Sequence, residues 1–196
     1  MSQRNNSTRN ISLFVGLISL CALFVSLYQA KIMRQQNEVQ LEAVKAQLWP
    51  RLSLGIDRSY DNGELSAYTL LIINKGSGPA IIDEVRVTHA GTEASDWWHI
   101  FKLSNIPDSI PTFINTANIR GNVIRPGEVI RVLDLTDNTE LMQAYFPAAS
   151  HTDISICYSS VFGDTWQLYR EGLTSTLQSI TVDVKECTIQ GSIWEK

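Results

Sequence analysis

The chain has 196 residues, and its 44% hydrophobic content is enough for one core of ordinary domain size beyond an N-terminal segment of about 50 residues. Residues 1–50 carry five Lys/Arg and two Asp/Glu, a net of +3, whereas residues 51–196 carry eleven and eighteen, a net of −7. An acidic domain argues against nucleic acid as the main ligand, because binding a phosphate backbone needs a basic surface.

Residues 1–10, MSQRNNSTRN, form a polar tail expected to be disordered. Ile11–Tyr28 is an uncharged apolar run, and as a helix it spans about 27 Å, close to the hydrocarbon thickness of a bilayer. We read residues 11–30 as a transmembrane helix. An arginine-bearing tail before an apolar run also resembles a secretory signal peptide. The length of the run, and the bulky Tyr28 where small residues are expected, favour an uncleaved signal-anchor. The flanking charges nearly balance, with Arg4 and Arg9 on one side and Lys31 and Arg34 on the other. Resistance of the two arginines to translocation favours the tail inside and the soluble domain outside. Ser12, Gly16, Ser19 and Ser26 share one side of the helix, where small residues permit close helix–helix approach.

Residues 31–49 lack Gly and Pro and are rich in helix formers, so they read as a helical stalk. Asn37, Leu41, Val44 and Leu48 fall on a heptad seam. The seam suits either a coiled coil between copies, with Asn37 setting register, or packing on the protein's own domain. Pro50 ends the helix and pushes Trp49 toward extended geometry, which makes Trp49 a hinge between stalk and domain.

From residue 51 the apolar period changes to two. Leu52, Leu54 and Ile56 alternate with polar positions, and Asp61-Asn62-Gly63 signals a turn into a second strand over 65–73. Asn74-Lys75-Gly76-Ser77-Gly78-Pro79 reads as a glycine-dependent turn. A third strand covers 80–89, with a bulge at Asp83-Glu84. Ser95 is expected to cap a short helix over 96–103 that carries Trp97 and Trp98, the candidate partner surface, and residues 104–118 read as irregular. Strands at 122–124 and 129–135, a helix at 139–145, a hairpin of 153–160 with 165–171, and a last strand at 179–185 complete the chain. The pattern predicts a mainly β domain, residues 51–196, built as an immunoglobulin-like antiparallel β-sandwich on the N-terminal helix and stalk.

Trp49-Pro50 after a Gln-rich helix, Asn74–Ile81 (NKGSGPAI), and Ile156-Cys157-Tyr158-Ser159-Ser160 followed by Trp166 together resemble a group of uncharacterised bacterial membrane-anchored proteins. That group has an N-K-G-x-G-P-A strand-turn and a C-Y-C-S…C-W hairpin. The second and third cysteines of the hairpin pattern stand here as Ser159 and Thr165. The resemblance covers residues 35–170 and implies no established activity.

No motif carries chemistry. The glycine loop lacks the G-K-[ST] ending of a phosphate loop, no G-x-S-x-G elbow exists, and His89, His99 and His151 form no ligand spacing. Asp134 and Asp137 read as a solvated acidic loop. Cys157 and Cys187 are expected either to pair, if the domain faces an oxidising compartment, or to stay as buried thiols. We therefore expect no catalytic residues, no metal and no cofactor. The expected protein is a single-pass bacterial inner-membrane protein, held by the lipid bilayer and oligomerising through anchor and stalk. Its domain is expected to be a non-catalytic module that meets a protein partner, and not nucleic acid. A membrane-acting defence or toxin-like effector and an enzyme of unrecognised type are the alternatives.

Overall fold

The computed structural model describes residues 4–112, 114–174 and 178–187. The chain divides into two compact units, Met1–Ala46 and Gln47–Lys196. In the first, helix α1 (Arg4–Gln47) runs unbroken for 44 residues, about 66 Å at ~1.5 Å per residue. Nothing in its sequence interrupts it, since Gly16 is its one glycine and it has no proline. It begins inside the polar tail that was expected to be disordered. Its span from Val15 to Gln47 has a mean hydropathy of 1.7 in the most apolar stretch, which is unburied, and is long and apolar enough to cross a membrane.

The second unit is mainly β. Strands β1 (Leu52–Asp61) and β2 (Glu64–Asn74) form a hairpin closed by Asn62 and Gly63, both at positive φ, as a two-residue primed turn requires. Strand β3 (Ala80–His89) is followed by β4 (Thr92–Ala94), helix α2 (Trp97–Leu103), and the short strands β5 (Asn115–Thr116) and β6 (Val123–Ile124). Then come β7 (Val129–Asp134), α3 (Thr139–Tyr145), a 3-10 turn at Ala148–His151, β8 (Thr152–Ser159), β9 (Thr165–Arg170) and β10 (Ile180–Val184). The register of β3 against β8 shifts between Ile82 and Glu84, where the sequence suggested a bulge.

Two antiparallel sheets result. One has the order β1-β2-β7-β5, the other β10-β9-β8-β3-β4, with β6 added beside β3. Both bury residues in one shared core, Leu54, Leu70 and Ile72 from the first and Ile82, Ile156 and Leu168 from the second. Leu54, Ile72, Val85 and Ile156 line the same small internal void, so the inner faces of the two sheets oppose one another. Helix α2 plugs the core with Trp97, Ile100 and Phe101, and α3 with Leu141, Met142 and Tyr145. The α2 N-cap is Asp96, whose Oδ1 accepts from the His99 amide at 2.8 Å. Ser95 instead donates its hydroxyl to Asp96 Oδ2, so the capping role moves one residue along from the expected position.

Candidate functional site

The glycine loop after β2 has a structural task. Asn74 is fully buried, and its amide Nδ2 donates to the carbonyls of Gly78 and Ile124 at 2.8 and 3.0 Å. Its Oδ1 accepts from the amides of Gly76 and Arg51. The loop amides then grip the incoming chain. Lys75 N–H donates to the Arg51 carbonyl at 2.7 Å, and Ser77 and Gly78 N–H both donate to the Trp49 carbonyl. A Cβ at Gly76 would overlap the Trp49 carbonyl, and one at Gly78 would overlap the Leu48 carbonyl. Neither glycine has positive φ. These glycines therefore serve close backbone approach and not turn conformation. The Trp49 carbonyl is thus held by two loop amides, and its ring lies 6.4 Å from that of Trp166, which stacks on Tyr158.

On α1, the hydroxyls of Ser19 and Ser26 each donate to the carbonyl four residues back, Val15 and Ala22, at 2.9 Å. They are internally satisfied, so in hydrocarbon they act as small residues and do not seek polar partners. Nothing stands within 4 Å of a Cβ built at Gly16, and the side chain of Ser12 lies outside the described ones. Further along, Leu41 is 50% and Val44 42% exposed, Asn37 is exposed, and Leu48 is half-buried.

The tryptophan pair divides. Trp97 is 5% exposed and belongs to the core, whereas Trp98 is 45% exposed and meets Phe101 edge-on at 6.2 Å. Of the two, only Trp98 is open to contact from outside, because adjacent helical residues point about 100° apart. A second apolar set went unnoticed in the sequence. Tyr169 and Ile180 are cross-strand partners, Val182 lies two residues along on the same face, and all three are exposed. They are dispersed in the sequence, and only the β9–β10 register joins them.

Cys157 and Cys187 form a disulfide with Cα atoms 5.7 Å apart. It ties β8, deep in the second sheet, to the segment after β10. The β10 side chains are almost all exposed. That strand rests on its ladder to β9, on the disulfide, and on Ser179 Oγ accepting from the Leu54 amide.

Between the edge of β1 and strand β10 lies a cleft of about 700 Å³. Side chains from the second sheet satisfy outward backbone groups of β1. Tyr158 Oη accepts from the Leu52 amide at 3.4 Å, and Arg170 Nη1 donates to the Leu54 carbonyl at 3.0 Å. Arg51, Arg58, Lys75 and Arg170 line the cleft, together with hydroxyls of Ser53 and Ser179. Burial pulls the Arg170 guanidinium below its ordinary value. Tyr68 offsets this in part, and the like charge of Arg58 adds to it. Nothing in the sequence signalled this grouping, since the four cations come from three separate stretches of chain.

The histidines meet more closely than their sequence spacing suggests. His89 and His151 have ring centroids 6.3 Å apart, and His89 Nδ1 bonds Thr152 Oγ1 at 3.0 Å. Among the described residues no group of three or more His, Cys, Asp or Glu converges as metal ligands would. Asp134 is a structural acceptor. Its Oδ1 takes bonds from Thr69 Oγ1 and the Thr136 amide, and these outweigh burial and hold its carboxyl below the usual range. No protein-family model, no curated protein and no solved structure matches this chain.

Proposed function

We propose that this is a single-pass protein of the bacterial inner membrane whose β domain, on the outer side, recognises a protein partner without catalysis. The observation that carries the reading is the apolar seam of α1 beyond its membrane-length stretch. Leu41 and Val44 stand half-exposed in the single chain. Uncovered a/d-type residues on a continuous helix suit pairing with a second copy. Ser12, Gly16, Ser19 and Ser26 would let the anchors approach in the same assembly, with Asn37 setting register and Leu48 closing the seam.

The domain itself fits an immunoglobulin-like sandwich. The order β1-β2-β7-β5 opposite β9-β8-β3-β4 follows the ABED and GFCC′ arrangement of that fold, with β10 added at one edge. Folds of this kind serve recognition from strands and end loops, and Trp98 and the Tyr169–Ile180 face are the apolar surfaces available for it. The disulfide supports placement in an oxidising compartment. The kinship with membrane-anchored proteins bearing the N-K-G-x-G-P-A turn remains part of the reading, and the clamp on residues 48–51 gives that motif a physical purpose.

The test is cross-linking of a Leu41→Cys or Val44→Cys variant in native membranes under oxidising conditions. A dimer band that Gly16→Leu with Ser19→Leu weakens supports the assembly, and a monomer at both positions overturns it. A second reading, a defence or toxin-like effector whose clustered anchors disturb the bilayer, shares this assembly. It requires loss of membrane integrity on overexpression, abolished by the same Gly16→Leu and Ser19→Leu change.

A further inference from the structure

We propose that the cleft between β1 and β10 binds a phosphate-bearing ligand. The domain carries eleven Lys/Arg against eighteen Asp/Glu, yet four of those cations line this one cleft, and no Asp or Glu does among the described residues. Gathering like charges is costly without an anion to offset them. Arg58 lies close enough for its charge to act on Arg170. Both guanidiniums are fixed in place by backbone carbonyls, Arg58 by Thr174 at 2.9 Å and Arg170 by Leu54 at 3.0 Å. Arg58 also lies 6.0 Å from the centre of the Phe146 ring. A guanidinium has five N–H donors, so one carbonyl leaves Arg58 several for a ligand, and its planar fork matches a phosphate.

The rest of the lining narrows the ligand. Arg51 and Lys75 are exposed at the mouth, where they can attract an anion. Ser53, Ser179 and Gln178 supply neutral polar groups, and among the described residues no aromatic ring lines the cleft to stack a base. The volume lies within the range of small-molecule sites. Phosphate on a polar, non-aromatic carrier fits these walls, whether the carrier is soluble or is a lipid headgroup. The inference stands on the domain alone and does not depend on self-association or on a protein partner.

The test uses the full-length protein in phosphatidylcholine nanodiscs, titrated calorimetrically with inorganic pyrophosphate. Saturable binding that weakens with salt is expected, and the double variant Arg51→Gln with Lys75→Gln should lower affinity about tenfold at unchanged melting temperature, because both side chains are exposed. Repeating the titration in nanodiscs containing phosphatidylglycerol separates the sources. A fall in affinity larger for wild type than for the double variant identifies a headgroup competing in the cleft, and an equal fall, which repulsion by the anionic surface alone produces, or none identifies a soluble phosphate. No saturable binding at millimolar pyrophosphate overturns the proposal, as does equal binding by the double variant. Tighter capture of a hexa-aspartate peptide than of pyrophosphate overturns the phosphate assignment.

Discussion

Two glycines and one asparagine decide how the chain enters its domain. Gly76 and Gly78 leave room for the backbone of residues 48–51, and the buried Asn74 amide closes the loop around it. In Gly78→Ala the new methyl must displace the Leu48 carbonyl, which is backbone and cannot swing aside. We expect a loss of at least ~2 kcal/mol in denaturant melts, in the range for strained or overpacked sites. Asn74→Ala strands the Gly78 and Ile124 carbonyls and two amides, and should cost about 2–4 kcal/mol. A milder effect than that of an exposed Ser77→Ala control would refute the clamp.

His89 contributes at the same scale. Burial, helped by the nearby His151, holds its pKa below the ordinary histidine value of 6.5, and Asp153 offsets this only in part. The unfolded chain therefore binds the proton more readily. The contribution to stability is complete above about pH 6.5 and shrinks as pH falls from there toward the folded value. Urea melts between pH 5 and pH 7 should show stability rising with pH, and His89→Gln should flatten that rise. A variant slope equal to wild type would remove His89 as its source.

Among the elements, β10 is held little by apolar burial. Its ladder to β9 and the Cys157–Cys187 bond carry it, and Ile180 and Val182 face solvent. Closing a loop of 30 residues stabilises the fold by about 3–4 kcal/mol on the chain-entropy account. Reduction, or Cys157→Ser with Cys187→Ser, should lower the melting point and release β10 first. Hydrogen exchange would show this as lost protection over 180–184 while the amides of β3 and β8 stay slow. Uniform loss across both sheets would contradict a separable β10. Helix α1 differs in kind, because its continuity follows from local propensity and needs no packing to explain it.

For the whole molecule, placement of the domain is the quantity to measure. An engineered Asn62→Cys in the exposed β1–β2 turn, probed in intact cells with a membrane-impermeant maleimide, should label if the domain lies outside. Labelling only after lysis would place the domain inside and remove the compartment in which the disulfide persists.

The apolar helix, the unbroken run of helix formers behind it, and most strands and hairpins are legible in the sequence alone. The Asn62-Gly63 turn, the Asp83-Glu84 bulge and the alternation of Leu52, Leu54 and Ile56 are local patterns whose causes lie within a few residues. The short strands β4 and β5 were not legible, since Thr92–Ala94 and Asn115–Thr116 lack the apolar pair before a Pro-Gly turn that marked the equally short β6. Which tryptophan is buried, why Gly76 and Gly78 are glycines, and that Arg51, Arg58, Lys75 and Arg170 share one cleft emerge only from the folded chain. Each of these depends on residues far apart in the chain meeting across a sheet edge or at a junction. Hydrophobic periodicity tells which face of a strand is inward and is silent about what that strand will face.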